Sequence, residues 1–500
     1  MKKIIRKLSG RLFATVGLIS LQLILVFSFA SFLLYRFPFL WHIGIVFSIL
    51  ILLYIVQKDK PSAYKLVWAI FVLAIPVVGG FIYFFFGDKK PTRKIAKYME
   101  KHAIISKILG NNEKIQAENQ FFRYIENTTG FTPYKNTSTK YYDFGEKMFE
   151  DMLIELEGAK KFIFLEYFII KKGYMWQSIL DILVKKVAEG VEVKLIIDDF
   201  GTPFSFKYLK QLREKGIMVV RFNPLIPFLF IFMNNRDHRK ITVIDGEIAF
   251  CGGMNISDEY INKTNPFGKW KDNGLMLKGE AVWSFTLMFA EMWDTFSKEK
   301  DRINNYENYR RSTKFEEIGR VLPFGDNPID SEETGENTYI EILNRAKDYV
   351  YIFTPYLIVS DKILYALQMA AKRGVDVKIV TPGIPDKKLI YRLTRSYYRF
   401  LINCGVKIYE YTPGFLHAKS FVSDDKIAVV GTINLDFRSL YLHFECAVIL
   451  EDTETILDLK RDAIKTIEES KKVSRKIVNK RKAFIDEFID AILHLFSPLL

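Results

Sequence analysis

Cysteine is scarce in this chain of 500 residues, which contains only Cys251, Cys404 and Cys446. Their spacing matches no zinc-binding pattern, and so few thiols cannot build the disulfide framework of a small secreted domain. The sequence therefore argues against a zinc site and against a disulfide-stabilised fold, and it fits a reducing compartment.

The chain also lacks the polar composition of a disordered protein, since 49% of its residues are hydrophobic and 26% are charged. Its length is sufficient for two or three folded domains. The formal net charge of +14 points to anionic partners, namely nucleic acid, acidic lipid or a phosphorylated substrate. A surface rich in solvated lysine would produce the same charge without any such partner.

Charged residues are absent from three apolar runs near the amino end, at positions 12–34, 37–56 and 66–87. Each run approaches the roughly 20 apolar residues that cross a bilayer. A cleaved signal peptide is the alternative for the first run, but its apolar core is long and further runs follow. We predict an N-terminal transmembrane anchor of two or three helices over residues 1–90, followed by a linker over residues 91–129.

The orientation of this anchor follows from its flanking charges. Five Lys or Arg residues precede the first run and favour a cytoplasmic amino terminus. Three full crossings would then place the body outside, whereas the basic segment after the third run favours the inside. One run that does not cross would resolve the conflict, either the third, with Pro76 and Gly79-Gly80, or the second, with His42. We expect a multi-pass cell-membrane protein, with a cytoplasmic body favoured.

The rest of the chain repeats one pattern of strand, helix, glycine and strand. KFIFLEYFII, MWQSILDILVKKVAEG and VEVKLIID occur in the first copy, and DYVYIF, KILYALQMAAKRG and VDVKIVT in the second. Strands that alternate with helices predict a parallel sheet covered by helices. We expect an α/β fold with two homologous α/β/α sandwich domains and mostly parallel sheets. Their predicted bounds are 130–320 and 321–500, and the second ends in an amphipathic helix.

Each copy then reaches a hairpin of the same composition. DHRKITVIDGEIAFCGGMN covers 237–255, and LHAKSFVSDDKIAVVGTIN covers 416–434. The positions that match at one constant offset are His238 and His417, Lys240 and Lys419, Asp245 and Asp424, Gly252 and Gly431, and Asn255 and Asn434. This agreement is too extensive for chance, whereas a single His-x-Lys would be weak.

Strand geometry assigns places to these residues. His238 and Lys240 share a strand face because they lie two residues apart. Asp245 lies seven residues from His238, roughly 23 Å along an extended strand, so it cannot orient that histidine and suits the turn instead. The return strand brings Asn255 beside His238, and each hairpin thereby offers a His, a Lys and an amide to an anion.

Two such hairpins facing each other fit a phosphodiester. One histidine can attack phosphorus while the other protonates the leaving oxygen. The lysines and the amides of Asn255 and Asn434 would bind the phosphate oxygens. No metal or other cofactor is needed for this chemistry. Asp272 and Glu445, each at the start of an apolar strand after its motif, are the candidates for orienting the histidines; the alternative is that both are surface acids.

The chain resembles the phospholipase D superfamily, whose signature is a duplicated HxKxxxxD followed by GGxN or GTxN. Within it, the chain resembles bacterial cardiolipin synthases. The residues that carry this resemblance are Trp68, Pro76, Gly79, Tyr83 and Phe86-Gly87, the segments GGMNISDEY and GTINLDFRS, and the terminal FSPLL. An extra amino-terminal run departs from the usual two-helix anchor.

The resemblance implies transfer of a phosphatidyl group from phosphatidylglycerol to an enzyme histidine, with release of glycerol. A second phosphatidylglycerol then accepts the group to give cardiolipin. It further implies that His238 is the nucleophile and His417 the general acid. By the family pattern Asp245 and Asp424 count as catalytic signature residues, although strand geometry makes them structural.

Two apolar segments agree with a lipid substrate. Residues 223–235, NPLIPFLFIFMNN, have no counterpart in the second copy and would dip into a bilayer, or else form a buried strand. A basic stretch near the carboxyl end precedes Phe484, Phe488, Ile492 and Leu495 at helical spacing. That helix would lie on an anionic membrane or pack as the last helix. The expected partners are phosphatidylglycerol and anionic membrane lipids, without nucleic acid.

Two other functions use the same residues. A membrane-bound phospholipase D or a nuclease would employ both histidines with water as the acceptor, and the motif alone does not separate it from a transferase. A nuclease should show aromatic and basic residues alternating along a groove, and no clear stripe of that kind occurs. A non-enzymatic lipid-binding scaffold has no need for paired imidazoles.

Overall fold

A computed structural model describes the body of the chain and parts of its amino end. The described ranges are 35–58, 60–75, 78–87, 119–224, 235–298, 302–303, 305–311, 313–330, 332–479 and 484–499, with isolated residues between 17 and 97. Most of the predicted linker and most of the apolar insertion at 223–235 lie outside these ranges.

Strands and helices alternate along the body. The strands are β1 (Thr137–Tyr142), β2 (Phe162–Tyr167), β3 (Glu192–Asp198), β4 (Met218–Phe222), β5 (Arg236–Asp237), β6 (Lys240–Ile244), β7 (Ile248–Gly252), β8 (Lys269–Lys271), β9 (Gly274–Gly279), β10 (Arg320–Asp326), β11 (Tyr349–Phe353), β12 (Asp376–Pro382), β13 (Lys407–Tyr411), β14 (Gly414–Leu416), β15 (Ser420–Ser423), β16 (Ile427–Gly431), β17 (His443–Glu451) and β18 (Ser470–Lys472).

The α-helices are α1 (Phe39–Gln57), α2 (Ser62–Ala74), α3 (Val78–Phe86), α4 (Gln120–Thr129), α5 (Gly145–Gly158), α6 (Tyr174–Ala188), α7 (Phe206–Glu214), α8 (Val282–Phe296), α9 (Thr334–Arg345), α10 (Asp361–Lys372), α11 (Lys388–Asn403), α12 (Phe437–Tyr441), α13 (Thr455–Glu468), α14 (Arg475–Val478) and α15 (Phe484–Phe496).

These elements form a mixed α/β fold with two large sheets. The first sheet has the order β1-β9-β7-β6-β2-β3-β4, and the second has the order β10-β17-β16-β15-β11-β12-β13-β18. Along each of these orders only the three strands joined by helical crossovers are parallel, β2-β3-β4 and β11-β12-β13. The short strand β5, which lies off this order, adds one parallel pair with β17. The expectation of mostly parallel sheets is therefore wrong.

The physical reason lies in the connections between the strands. The His-x-Lys segments form tight hairpins, which force antiparallel pairing of β6 with β7 and of β15 with β16. Asp245 and Gly246 supply the hairpin turn with φ angles of 54° and 71°, which the short Asp side chain and glycine tolerate. The strands that follow, β9 and β17, add to the same hairpins in the antiparallel sense.

Two short strands link the halves reciprocally. β5, just before His238, pairs in parallel with the start of β17, just before Glu445. β14, just before His417, pairs in parallel with β8, just before Asp272. Each histidine is therefore fixed by backbone hydrogen bonds to the half that carries the other histidine.

The apolar runs of the amino end form α1, α2 and α3, while most of the first run lies outside the described residues. These helices enclose a small core of Ile51, Ile55, Trp68, Val72 and Tyr83. Within the part of the chain that the structure describes, no helix is long and apolar enough to cross a membrane.

The last helix has the spacing that the sequence predicts. Arg392 of α11 donates to Asp490 of α15 at 2.7 Å, and the ring of Phe496 packs edge-on against Phe71 of α2. On the same helix Phe484 and Phe488 are 81% and 58% exposed. One face of α15 is therefore packed, and an aromatic face is open.

Candidate active site

Backbone hydrogen bonds across the halves hold both motif histidines. The backbone N–H of His238 donates to the carbonyl of Phe444 at 2.9 Å, and that of His417 donates to the carbonyl of Lys271 at 2.7 Å. Both residues are buried, with 8% and 7% of their surface exposed. The two imidazoles thus lie where the halves meet, largely shielded from solvent.

The carboxylates nominated from sequence orient the histidines in a crossed arrangement. Nδ1 of His238 lies 2.9 Å from both carboxylate oxygens of Glu445, and Nδ1 of His417 lies 2.7 Å from Oδ2 of Asp272. Both acids are completely buried, so neither is a surface acid. An Nδ1–H that donates to a carboxylate leaves Nε2 as the nitrogen available to a substrate.

Further contacts fix each carboxylate. Ser439 Oγ donates to Glu445 Oε1 at 2.6 Å, and Thr432 Oγ1 donates to the other oxygen. In the first copy Gly253 replaces the threonine, and a Cβ at Gly253 would lie 2.0 Å from Asp272 Oδ1. Glycine is therefore required at position 253, because the carboxylate of Asp272, which contacts His417, occupies the space that a Cβ would need.

The motif lysines reinforce the site with buried positive charge. The ammonium groups of Lys240 and Lys419 donate to the carbonyls of His238 and His417, respectively. Burial lowers the pKa of Lys240 to about 8 and that of Lys419 to about 7. An incoming phosphate would favour their charged forms, because opposite charges in a buried site attract strongly.

Burial also lowers the pKa of both imidazoles in the free protein. It lowers the pKa of His238 well below the ordinary value, and the charges of Lys240 and Lys419 act in the same direction. Burial and then the charge of Lys419 lower the pKa of His417 to about 4, against the opposing effect of Asp272. Burial would raise the pKa of Asp272, but His417 and Lys419 bring it below the ordinary value. A neutral imidazole is the form that attacks phosphorus.

The two asparagines nominated as phosphate ligands differ in their contacts. Asn255 accepts from the Ile169 amide at 3.0 Å and donates to the Tyr260 hydroxyl at 2.7 Å. Its side chain thereby supports Tyr260, whose ring centroid is 5.3 Å from that of His417. Asn434 is also buried, but its Oδ1 has no hydrogen-bond partner within the described part of the chain. The open atom of Asn434 is thus an acceptor, which suits a hydroxyl or N–H donor and not a phosphate oxygen.

The hairpin aspartates lie at the turns and contact backbone amides. Asp245 accepts hydrogen bonds from the amides of residues 160–162 at 2.7 to 2.8 Å. Asp424 accepts from the amides of residues 347–349 at 2.8 to 3.0 Å. The structure does not bring either carboxylate to an imidazole; each anchors its turn to the beginning of the neighbouring strand, β2 or β11.

Sequence reasoning missed the residues that form the walls of the site. Trp270 and Tyr260 lie against His417, and Phe168 and His443 lie against His238, with ring centroids 5.1 to 5.5 Å apart. Trp270 and His443 each precede an orienting carboxylate by two residues. Residues two apart on a strand share a face, so the sequence could have predicted that Trp270 and His443 lie beside the orienting carboxylates.

Among the described residues, His238, His443 and Glu445 form the one group of potential metal ligands, with ligand atoms within 4.8 Å of one another. The positive charges of Arg438 and Lys240 act on His443 and would repel a divalent cation bound there. The Glu445 oxygens already accept hydrogen bonds from His238, Ser439 and Thr432. The charges and contacts around this group therefore do not favour a divalent cation.

Comparison with known proteins agrees with this geometry. The family model described as cardiolipin synthase, PLD-like domain, matches residues 152–293 and 339–466, and a phospholipase D-nuclease N-terminal model matches residues 46–87. The first segment covers the first sheet except β1, and the second covers most of the second sheet. The matched parts thus include both motifs and both orienting carboxylates.

Several relatives are similar over most of the chain. An uncharacterized protein of Streptococcus mutans serotype c is 45% identical over 466 residues, which cover 90% of this chain and 99% of the relative. The cardiolipin synthase of Alkalihalophilus pseudofirmus is 34% identical over 479 residues, which cover 92% of this chain and 95% of the relative.

A solved structure shares the fold. The phosphatidylserine synthase of Haemophilus influenzae superposes with a TM-score of 0.58 at 14% identity, over 77% of this chain and 98% of the other. This likeness concerns the fold alone. With the matched family model and the relatives above 30% identity, the chain belongs to the cardiolipin synthase family of proteins with PLD-like domains.

Proposed function

We propose that the protein is a cardiolipin synthase that transfers a phosphatidyl group between two phosphatidylglycerol molecules through a phosphohistidine. The observation that supports this most is the crossed pairing of two buried histidines with two buried carboxylates, flanked by two lysines. Such a site provides a nucleophile, a proton carrier and fixed positive charge at one place.

In the first half-reaction Nε2 of His238 attacks phosphorus and the bond from phosphorus to the glycerol oxygen breaks. The charge of the bound phosphodiester raises the pKa of His417 above its value in the free protein, so that His417 enters this step protonated. Its Nε2–H supplies the proton that the leaving glycerol oxygen takes up. In the second half-reaction His417 removes a proton from the hydroxyl of the second phosphatidylglycerol, whose oxygen attacks the phosphohistidine. The products are glycerol and cardiolipin, and both histidines return to their initial state.

The carboxylates, the lysines and the burial of the histidines have different roles in this reaction. Glu445 and Asp272 keep Nδ1 of each ring occupied and stabilise the positive charge that develops on it. Lys240 and Lys419 face the negative charge of the phosphoryl oxygens. Burial of both histidines restricts water, which favours a lipid hydroxyl as the acceptor over hydrolysis.

Membrane attachment completes the proposal, because both substrates are lipids. We place the amino end in the cell membrane as a multi-pass anchor with the body on the cytoplasmic side. The support is the charge-free sequence of the three runs and the outward apolar side chains of α1, among them Ile43, Leu50 and Leu53 at 57–61% exposure. The exposed aromatic face of α15 provides a second contact with anionic lipid.

The decisive experiment uses the purified full-length protein and phosphatidylglycerol as the sole lipid, with products separated by thin-layer chromatography. We expect cardiolipin and free glycerol in equal amounts, with or without a chelator of divalent metals. A His238→Ala variant is the matched negative control. Phosphatidic acid as the main product would contradict the transferase assignment and support a phospholipase D-type hydrolase.

A further inference from the structure

A third imidazole lines the site beside the proposed nucleophile. The ring centroid of His443 lies 5.5 Å from that of His238, at an interplanar angle of 41°. Its Nδ1 is 3.8 Å from Glu445 Oε1, beyond hydrogen-bond distance, and neither ring nitrogen has a hydrogen-bond partner among the residues that the structure describes. The side chain is only 11% exposed. A buried imidazole without partners is unfavourable unless a ligand supplies them.

The two copies differ at this position. Trp270 occupies the equivalent place in the first copy, two residues before Asp272, and its ring lies 5.4 Å from that of His417. The His417 side therefore has an indole wall, whereas the His238 side has a second imidazole. Glu445 cannot satisfy His443, because its oxygens already accept from His238, Ser439 and Thr432.

The geometry of the displacement limits what His443 can touch. The leaving glycerol must lie on the His417 side of phosphorus, opposite to the attacking His238. A group next to His238 is thus far from the leaving oxygen and near the equatorial oxygens. Because burial lowers the pKa of His443 well below its ordinary value, its ring is neutral and carries one N–H donor.

We propose that His443 donates a hydrogen bond to a non-bridging phosphoryl oxygen of the bound lipid, and that it holds the phosphoryl group on the His238 side of the site. This inference rests on the proposed phosphatidyl transfer. It makes the two chemically similar sides of the site unequal: the side where His443 packs against His238 carries the covalent phosphoryl group, and the side where Trp270 packs against His417 moves the proton.

The test compares His443→Phe, which keeps a ring without a donor, with His443→Gln, which keeps a donor. Rates are measured with phosphatidylglycerol and with a phosphatidyl nitrophenol ester, and inhibition is measured with inorganic orthovanadate. For His443→Phe we expect kcat/KM to fall by about 10- to 100-fold with both substrates, the value of one hydrogen bond to a charged group. The orthovanadate inhibition constant should rise, and His443→Gln should recover most of the loss.

His494→Phe is the control for the general effect of replacing a histidine with phenylalanine. His494 lies on the last helix, α15, and contacts Ser396 of α11. Unchanged kinetics of folded His443→Phe with both substrates would overturn the inference. A loss confined to phosphatidylglycerol would overturn it as well, since His443 would then bind the glycerol headgroup. If the unmodified protein cleaves the nitrophenol ester without making cardiolipin, the proposed function fails, while the ester and orthovanadate measurements still decide the role of His443.

Discussion

Asp272, on the segment that follows the first motif, binds Nδ1 of His417 in the second motif at 2.7 Å. The reciprocal contact joins Glu445 of the second half to His238 of the first. Each copy therefore supplies the histidine of one pair and the carboxylate of the other. A single copy by itself would hold an imidazole with no orienting acid, and the site thus requires two copies, which this chain supplies by its internal repeat.

The crossed pairs predict which half-reaction each carboxylate supports. Asp272→Asn and Glu445→Gln should each lower kcat by about 10²- to 10⁴-fold, because the imidazoles lose their orientation and charge stabilisation. With a phosphatidyl nitrophenol ester, Asp272→Asn should still form the covalent intermediate but pass it slowly to the acceptor. Glu445→Gln should form little intermediate, as measured by acid quench of the labelled protein.

Asp294→Asn is the control for this pair of variants, since Asp294 is a buried acid that contacts Tyr306. Its effect should be on stability, without a change in the ratio of covalent intermediate to product. An equal loss of intermediate in Asp272→Asn and Glu445→Gln would contradict the crossed assignment.

The histidines themselves should differ in the same quench experiment. His238→Ala should remove the covalent species entirely, because His238 is the proposed nucleophile. His417→Ala should slow both half-reactions yet permit some labelling from a nitrophenol leaving group, which needs no proton. Mapping the labelled peptide checks the assignment, and label on the peptide with His417 would reverse it. Turnover without any label would indicate direct attack by the acceptor.

The hairpin aspartates should matter more for folding than for chemistry. Asp245→Asn and Asp424→Asn replace a carboxylate oxygen that accepts from backbone amides with an amide that cannot. The free energy of unfolding should fall by about 1 to 2 kcal/mol in each variant. Denaturant titration measures this loss, and the exposed Asp181→Asn serves as the control. Folded Asp245→Asn protein as inactive as His238→Ala would contradict the structural role.

The pH dependence of kcat/KM should follow the buried lysines. Lys419 has a pKa of about 7 in the free protein, so its positive charge is present below pH 7 and is lost as the pH rises through that value. Phosphate binding, and with it kcat/KM, should therefore decline above about pH 7. In Lys419→Arg the charge persists, and the decline should move toward pH 8, where Lys240 loses its proton. Lys210→Arg, on the exposed surface, should leave the profile unchanged.

Much of this site follows from the sequence because the motif is short and occurs twice with the same spacing. The constant offset between the two motifs identifies both histidines, both lysines and the turn aspartates, and the period of two on a strand places each His beside its Lys. The seven-residue spacing similarly predicts that Asp245 lies away from His238. Asp272 and Glu445 could be nominated as orienting acids because each begins an apolar strand after its motif.

Only the tertiary structure decided which acid meets which histidine, because the exchange depends on β5 and β14 pairing with the opposite half. These strands are two and three residues long, too short to leave a periodic signal in the sequence. The antiparallel majority of each sheet was likewise determined by how β9 and β17 join the hairpins. His443, the third imidazole, can be recognised as part of the site only because the structure places its ring beside that of His238. Local pattern specifies which residues carry the chemistry, whereas long-range strand pairing specifies which of them meet.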